Sequence, residues 1–440
     1  MGLLRHFRLL LPLIPLIWGQ ALGAEDASRI ESDDAFLDRM ERAAFDYFWN
    51  EANPASGLIR DRTTPDSKCS IAAVGFGLSA LNIGVDRGWI PRAAARQRAL
   101  TTLRTFADGP QGAEADGVMG HRGWFYHFLE MGSARRAWKC ELSSIDTALL
   151  LAGVLDAQEF FSRREPEERA IRDLAQKLVD RVDWGWMTNG KDTFTMGWHP
   201  EKGFLESRWV GYNEAMILYL IALGASEDSG ASKAEAPIRW EAWTSGYKWR
   251  QHHGFEFVEF APLFGHQYSQ CWVDFRGIVD AVMRPRGIDY FENSRRATLA
   301  QRAYCIANPG GFPNYGPLEW GLSACDGPKG YAARGAPPAE NDDGTLAPTA
   351  VGGSIPFAPE VCIPTLRHWE RTYGKRLWGR YGFRDGFNRK EDWWATDTLG
   401  IDQGAILIMA ENHRTGSVWR RMKSNRVIRR GLERAGFRPL

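Results

Sequence analysis

Apolar side chains recur at helical spacing along most of the chain. Phe36, Met40, Ala44 and Phe48 follow one another at intervals of four residues, which places them on one face of an α-helix over 34–51. Comparable patterns predict ten further helices, at 70–85, 91–106, 143–161, 165–182, 213–223, 267–283, 289–308, 356–372, 402–413 and 417–435. Strands are predicted only as short pieces, at 125–129, 194–198 and 256–257.

The predicted helices are of two kinds. Residues 165–182 are amphipathic, as expected of an outer helix with one face in water. Residues 148–155 and 215–223 are apolar on nearly every side, as expected of helices surrounded by protein. Two concentric layers of paired helices form an α/α toroid. The polar stretch 226–237 is short and is interpreted as a surface loop, so we expect an all-α fold with a single domain over 25–440.

The first residues have the pattern of a signal peptide. Arg5 and Arg8 precede an apolar run over 9–18, small residues follow at 21–24, and Glu25 comes directly after them. The apolar run is short for a membrane span, although an uncleaved anchor stays an alternative. We therefore predict a signal peptide over 1–24 and a periplasmic or secreted protein without stable membrane insertion.

The overall charge changes the expected partner. The formal net charge is +1 and charged residues make up 25% of the chain, so no strong field points to nucleic acid. Nucleotide-binding glycine motifs are absent, and the acidic turn at 341–344 lacks the spacing of a calcium-binding loop. The six cysteines include no C-x-x-C pair, and free thiols are expected, with one disulfide as the alternative. We predict no cofactor, no metal, a neutral partner and a monomer.

Carboxylates stand at the start of two predicted inner helices. Asp402 lies between glycines and directly precedes an apolar run. An N-cap or a favourable charge at the helix dipole is the alternative interpretation of Asp402. Glu214 follows Asn213, which is itself a suitable cap, so capping does not require Glu214.

A third acidic pair precedes the helix predicted over 143–161. Ser143 and Asp146 match the S-x-x-D capping box, whereas Glu141 lies outside it. In a toroid the inner helices start at one end, so Glu141, Asp146, Glu214 and Asp402 should meet in one cavity. Burial and mutual repulsion would raise the pKa of at least one carboxyl. A protonated acid beside an ionised carboxylate is what glycoside hydrolysis requires.

Tryptophan is the second chemical signal, with 19 residues in the chain. Indole rings stack on sugar rings, although core packing is the alternative for any single Trp. An ion pair with Asp274 is the alternative for Arg276. The candidate substrate-binding residues are Trp124, His127, Trp198, Tyr212, His266, Trp272, Arg276, Trp320 and Trp394.

Four segments carry a resemblance to a known family: Tyr212-Asn-Glu-Ala-Met-Ile-Leu-Tyr219, Tyr290-Phe-Glu-Asn-Ser-Arg-Arg-Ala-Thr298, the loop over 343–360, and Gly400-Ile-Asp-Gln-Gly404. The chain from about 34 to 437 resembles the bacterial glucoamylase-like family, which includes the endo-β-1,2-glucanases of glycoside hydrolase family 144. The resemblance implies an (α/α)6 barrel and an inverting, endo-acting hydrolase of β-1,2-glucan that releases short sophoro-oligosaccharides. It implies Glu214 as an acidic site residue, with Glu141, Asp146 and Asp402 as further candidates. Among these we assign Glu214 as the general acid and Asp402 as the general base.

Three alternatives stay open at the level of sequence. An exo-acting enzyme would release sophorose from the earliest time. A polysaccharide lyase on the same fold would need a uronic acid substrate, which a crowd of carboxylates disfavours. A non-catalytic glucan-binding protein would keep its affinity after loss of Glu214 or Asp402.

Overall fold

The computed structural model describes residues 31–225 and 239–440. The predicted signal peptide and the loop predicted over 226–237 lie outside these residues. Within them the α-helices are α1 Asp33–Asn50, α2 Ile71–Asp86, α3 Arg92–Asp108, α4 Ser144–Phe160, α5 Pro166–Asp180, α6 Met216–Ala225, α7 Trp240–Thr244, α8 Phe264–Trp272, α9 Tyr290–Ala307, α10 Pro348–Gly352, α11 Pro359–Tyr373, α12 Gly400–Arg414, α13 Ser417–Ser424 and α14 Arg426–Arg434.

Six helices form an inner ring and six form an outer layer. The inner helices are α2, α4, α6, α8, α10 and α12, and α12 packs back against α2 to close the ring. The outer layer consists of α1, α3, α5, α9, α11 and α14, each of which packs against the inner ring, with α14 beside α6. The short helices α7 and α13 are additional to the two layers. The predicted all-α (α/α)6 barrel is confirmed.

The two predicted kinds of helix occupy the two layers. Every residue of α6 except Leu223 is buried, because α6 is an inner helix. In the outer helix α5, Ile171, Ala175 and Leu178 face the core while the remaining surface is charged. At the crossing of α2 and α4, a Cβ on Gly153 would lie 1.9 Å from the carbonyl oxygen of Gly75, so only glycine permits this approach.

Two predicted helices have different boundaries in the structure. The helix predicted over 267–283 ends at Trp272, and the chain then turns through Gly277, whose φ of +70° suits glycine. The helix predicted over 417–435 is divided into α13 and α14. Asn425 separates them, because its Oδ1 accepts hydrogen bonds from the backbone N–H groups of Val427 and Ile428 and caps α14. The short helices α7 and α10 were not predicted.

Short antiparallel strands connect the helices, and several end where an inner helix begins. Leu142–Ser143 pairs with Gly197–His199 and directly precedes α4, and Cys69–Ser70 pairs with Phe128–Leu129 and precedes α2. The remaining strands are Gly120–His121, Trp124–Phe125, Gly203–Phe204, Trp249–His252, Phe255–Val258, Ile278–Val279, Ala324–Cys325, Ala332–Ala333, Thr345–Leu346, Trp378–Gly379, Gly382–Phe383, Phe387–Asn388, Trp393–Trp394 and Arg438–Pro439. Over 31–225 and 239–440, no helix combines the length and the apolar composition that crossing a bilayer requires.

Candidate active site

The four predicted carboxylates lie at the ends of the inner helices where the chain enters them. Asp146 is in the first turn of α4, Asp402 is in the first turn of α12, and Glu214 precedes α6 by two residues. Glu141 directly precedes the strand that leads into α4. Electrostatic interactions connect Glu214 with Asp146, and Tyr268 of α8 with both Glu214 and Asp402. The structure therefore brings the predicted acids to one end of the barrel.

Glu214 carries a carboxyl that favours the protonated state. Its Oε2 is buried and accepts no hydrogen bond from any described residue, while part of the side chain remains accessible. Burial, with a smaller contribution from the negative charge of Asp146, raises the pKa of Glu214 to about 7. The hydroxyl of Ser269 donates to the backbone carbonyl of Glu214 at 2.8 Å and fixes the chain before α6. A carboxyl in this state can donate a proton near neutral pH.

Asp402 forms a carboxyl pair with Asp385, a residue that the sequence patterns did not single out. The two buried carboxyl groups interact with each other, and Oδ1 of Asp385 and Oδ2 of Asp402 have no other partner among the described residues. Because two adjacent buried carboxylates repel one another, this arrangement favours a state in which they share one proton. Burial, followed by the charge of the partner, raises the pKa of Asp402 well above its usual range. Burial and the charge of Asp326 raise the pKa of Asp385. The pair therefore holds one proton and one negative charge, a state that belongs to both residues.

The N-cap interpretation of Asp402 is not supported by the structure. The N-cap of α12 is Leu399, and no side chain caps this helix. In contrast, Ser143 is the N-cap of α4, because its Oγ accepts from the N–H of Asp146 at 3.2 Å. The hydroxyl of Ser143 also donates to the carboxylate of Asp146. Asp146 thus takes part in helix capping and faces the acidic cluster as well.

His127 lies between Glu141 and Asp146. Its Nδ1 is 2.9 Å from Oε1 of Glu141, and its Nε2 is 3.5 Å from Oδ2 of Asp146. Burial alone would lower the pKa of His127, but Asp146 and Glu141 outweigh burial and raise it to about 9. The hydrogen bond from His127 also holds the pKa of Glu141 below its usual range, against the effect of burial. At neutral pH this group is a cation between two anions.

A second cation, Arg62, neutralises part of the remaining acidic cluster. Its Nη1 lies 2.8 Å from Oδ2 of Asp326, and its Nε lies 3.1 Å from Oδ2 of Asp61. Asp397, 3.9 Å from Arg62, accepts hydrogen bonds from the hydroxyls of Thr63 and Thr64. These contacts connect the 61–64 loop to the segment before α12. They position Asp61 beside both His127 and Asp402.

Trp198 is a predicted substrate-binding residue that lies beside the acids and keeps part of its surface accessible. Its strand pairs with Leu142, next to Glu141. The indole stacks on His121 with 5.5 Å between ring centroids and contacts the edge of Trp186 at 5.4 Å. Trp198 remains a candidate for stacking on a sugar ring.

Three other predicted tryptophans belong to the core. Trp124, Trp272 and Trp320 have no exposed surface. Their indole N–H groups donate to the carbonyl of Asp183, the hydroxyl of Ser79 and the hydroxyl of Thr365, each at 2.9 Å. Their placement does not support substrate binding, because the fold uses both the ring and the polar edge of each side chain.

Tyr212 and His266 are also buried. Their rings contact one another at 4.8 Å, and the Tyr212 hydroxyl lies 3.3 Å from that of Ser294. Burial lowers the pKa of His266 to about 4, and its Nε2 lies 3.1 Å from the carbonyl oxygen of Phe260. A neutral, enclosed imidazole is consistent with a structural role, so direct hydroxyl recognition by these two residues is not supported.

Arg276 and Trp394 have other partners in the fold. Arg276 follows the C-terminal end of α8, forms a two-point ion pair with Asp274, and places its guanidinium 4.4 Å from the ring of Trp419. The ion-pair alternative is therefore the observed one. Trp394 stacks on Phe387 at 5.3 Å and donates from its indole to Asp392. Neither residue has a described contact with the predicted catalytic carboxylates.

The sequence reasoning missed Asp385, Asp61, Arg62, Tyr268 and Tyr331. Tyr268 on α8 interacts electrostatically with Glu214 and Asp402, and Tyr331 interacts electrostatically with the Asp385–Asp402 pair from a loop. None of these five stands at an acidic helix start, which was the pattern used. Nothing in the local sequence around Asp61, Arg62 or Asp385 indicates that these residues meet in the folded protein.

The acidic turn at 341–344 serves the fold. Asp342 accepts hydrogen bonds from the hydroxyls of Tyr304 and Tyr315, and Asp343 pairs with Arg334 at 2.9 Å. Among residues 31–225 and 239–440, no group of His, Cys, Asp or Glu side chains has a metal-binding arrangement. All six cysteines are free.

Comparisons with known proteins give consistent relationships. The Glycoamylase family model, described as "Putative glucoamylase", matches residues 206–426. A protein of Bacteroides uniformis with the same description has a crystal structure that matches with a TM-score of 0.83 and 32% identity, covering 93% of this chain and 99% of that one. The endo-β-1,2-glucanase of Chitinophaga pinensis, in complex with sophorotriose and glucose, matches with a TM-score of 0.82 and 28% identity, covering 93% and 99%.

The name of a curated relative states an exo mode of action, in contrast to the endo mode of the Chitinophaga pinensis enzyme. The exo β-1,2-glucooligosaccharide sophorohydrolase (non-reducing end) of Parabacteroides distasonis is 30% identical over 438 aligned residues. The match covers 92% of this chain but 58% of the relative. The chain therefore spans little more than half the length of that protein.

Proposed function

We propose that this chain, which belongs to the glucoamylase-like family, is a glycoside hydrolase that cleaves β-1,2-linked glucans. One observation carries the proposal. A carboxyl that favours protonation, Glu214, faces the same end of the barrel as the proton-sharing pair Asp385–Asp402, with Tyr268 interacting with both. An acid and a carboxylate in one cavity are the two groups that glycosidic cleavage needs.

Glu214 is the proposed general acid. Part of its side chain is accessible, and its Oε2 has no hydrogen-bond partner among the described residues, so the carboxyl proton is not held by another protein group. Because its pKa is raised to about 7, the proton is present at neutral pH and is readily transferred. After cleavage the ionised Glu214 recovers a proton from solvent.

Asp402 is the proposed general base. The Asp385–Asp402 pair retains one negative charge and can accept a proton from the attacking water, directly or through a substrate hydroxyl. Attack by water on the face opposite the leaving group inverts the configuration at the anomeric carbon. Glu141 and Asp146, with His127 between them, are proposed to hold sugar hydroxyls and to set the charge around Glu214.

The proposed mode is endo cleavage with release of short sophoro-oligosaccharides. The similarity to the endo-acting relative, at 28% identity over 93% of this chain, supports this mode. Exo release of sophorose is the second candidate, favoured by the 30% identity with the sophorohydrolase. A lyase is disfavoured, because Glu141, Asp146 and the Asp385–Asp402 pair would repel the carboxylate of a uronic acid.

The experiment is incubation of the purified protein with linear β-1,2-glucan and, in parallel, with β-1,3-, β-1,4- and α-1,4-glucans. Products are separated by chain length over time. A ladder of short β-1,2-oligosaccharides from the first substrate alone is expected. Sophorose as the earliest and only product would replace endo by exo cleavage, and absence of product from every glucan would contradict the hydrolase.

We also propose export to the periplasm or the medium, and a monomer in solution. The motif over 1–24 supports export, and fractionation with N-terminal sequencing of the mature protein tests it. Light scattering of the purified protein tests the monomer.

A further inference from the structure

Trp138 is the one Trp among the described residues with most of its surface exposed, at 63%. A single exposed apolar side chain is ordinary on a protein surface, so a binding role for Trp138 has to be argued from its surroundings. The backbone around Trp138 is held rigidly, and the neighbouring side chains connect the indole to the acidic site.

The backbone around Trp138 adopts a conformation that side chains disfavour. Trp138 and Lys139 have φ values of +53° and +56°, two consecutive non-glycine residues in the left-handed region. Each such residue is destabilising by about 1 kcal/mol or more and persists only where surrounding contacts enforce it. Strain of this kind concentrates at ligand sites.

Arg136 enforces the conformation. Its guanidinium donates to the backbone carbonyls of Cys140 at 2.7 Å and Lys139 at 2.8 Å. The same group is held by Glu201 at 2.7 Å and lies 4.7 Å from the ring of Tyr126. The 137–140 turn is therefore fixed by a nearly buried arginine, although the side chain that the turn presents is in solvent.

Two neighbours connect the Trp138 ring to the acidic site. Phe128 contacts the indole edge-to-face at 5.2 Å and stacks on His127 at 3.9 Å. On the other side, Lys68 Nζ lies 6.0 Å from the indole, and the carbonyl of Lys68 accepts the N–H of Asp61 at 2.7 Å. Trp138 therefore lies one side chain beyond the residues around Glu141 and Asp61, at the border of the site.

We propose that Trp138 is a stacking platform for a glucosyl unit distant from the bond that is cleaved, and that it favours long glucan chains over short ones. This inference rests on the proposed function. The apolar face of a pyranose would cover the open indole face. Lys68 and Glu130, which pair at 2.8 Å beside the ring, supply a donor and an acceptor for the sugar hydroxyls.

The test is calorimetric titration of the full-length Glu214→Gln protein, which binds substrate without turning it over, with linear β-1,2-glucan and with sophorotriose. Trp138→Ala, Trp138→Phe and Ile306→Ala are introduced into this protein. Ile306 is 45% exposed on the outer helix α9 and serves as the control for loss of an exposed apolar side chain. Thermal unfolding of each variant verifies that the fold is intact.

Trp138→Ala is expected to weaken binding of the polymer about ten-fold, and binding of sophorotriose much less. Trp138→Phe should retain most of the affinity, and Ile306→Ala should match the parent. Equal affinities of the parent and Trp138→Ala for the polymer would overturn the platform while leaving the hydrolase proposal intact. No binding of either ligand by the parent protein would overturn the proposed function and the platform together.

Discussion

His127 and Glu141 are in hydrogen-bond contact in the candidate site, with 2.9 Å between Nδ1 and Oε1. The opposite nitrogen of the same ring faces Asp146 at 3.5 Å. A single imidazolium therefore organises two carboxylates at the entrance to α4. The negative charge of Asp146 in turn helps to keep Glu214 protonated.

His127→Gln should remove a pH-dependent part of the stability. The pKa of His127 is raised to about 9 in the folded protein, so its contribution is fully present below about pH 6.5 and is lost as the pH rises through 9. We expect a loss of about 1 to 2 kcal/mol at pH 6, less than the full linkage value because the side chain is partly exposed. Urea unfolding of both proteins at pH 6 and pH 9.5 measures it, and an equal loss at both values would contradict the charged pairing.

The rate of hydrolysis should decline on the alkaline side as Glu214 loses its proton. With a pKa raised to about 7, kcat falls as the pH rises through that value. Asp146→Asn removes a negative charge that raises this pKa, so the alkaline limb should move to lower pH by up to about one unit. Profiles of kcat between pH 5 and pH 9 give both results. If the alkaline limb of Asp146→Asn lay at the same pH as in the wild type, deprotonation of Glu214 would not be the cause of the decline in kcat.

The Asp385–Asp402 pair should respond differently to its two substitutions. Asp402→Asn removes the proposed base and should lower kcat about 100-fold or more, without loss of thermal stability, because a neutral amide replaces a buried carboxyl group that burial keeps from ionising freely. In Asp385→Asn, the amide donates a hydrogen bond to Asp402 and leaves it ionised. The acidic limb of the kcat–pH profile of this variant should therefore move to lower pH, with a smaller loss of rate. Comparable losses of kcat in both variants, with no movement of the limb, would contradict the assignment of the base to Asp402.

The barrel itself is tested at the contact of α2 and α4. Gly153→Ala places a methyl group 1.9 Å from the carbonyl oxygen of Gly75, so the two helices must separate. We expect destabilisation of about 1 to 3 kcal/mol, measured by chemical unfolding. Gly132→Ala is the matched control, because no atom lies within 4 Å of its added Cβ, and it should change the stability little. Equal stabilities of the two variants would show that the inner ring tolerates expansion there.

Much of the fold could be predicted, because the layer that a helix occupies determines where its apolar residues lie. An inner helix is apolar on nearly every side, whereas an outer helix is apolar only on the face toward the core. The apolar character of 215–223 marked α6 as an inner helix, and the amphipathic pattern marked α5 as an outer one. Boundaries were less predictable where a side chain competes with the helix. Asn425 caps α14 from within an apparently continuous pattern, and α8 ends at Trp272 because the chain turns there toward the outer layer.

The candidate site was predictable where an acid begins an inner helix, because the helix places it at one end of the barrel. Asp385 could not be found in this way, since it reaches Asp402 only through tertiary folding of a loop. The sequence could not distinguish core tryptophans from sugar-binding tryptophans, because an indole ring suits both a hydrophobic core and a sugar-binding cleft. Trp272 is fully buried while Trp138 is exposed, and the difference depends on neighbours distant in sequence.

The most direct measurement is the initial rate of reducing-sugar release from linear β-1,2-glucan by the wild-type protein and by Glu214→Gln at neutral pH. The assignment of Glu214 as general acid predicts hydrolysis by the wild type and a loss of kcat of at least about 100-fold in the variant, because an amide cannot supply the proton. It also predicts that the variant is at least as stable at pH 8, because a buried carboxylate is removed. Wild-type rates in a folded Glu214→Gln protein would contradict the assignment of the acid to Glu214, and no hydrolysis by either protein would contradict the proposed activity.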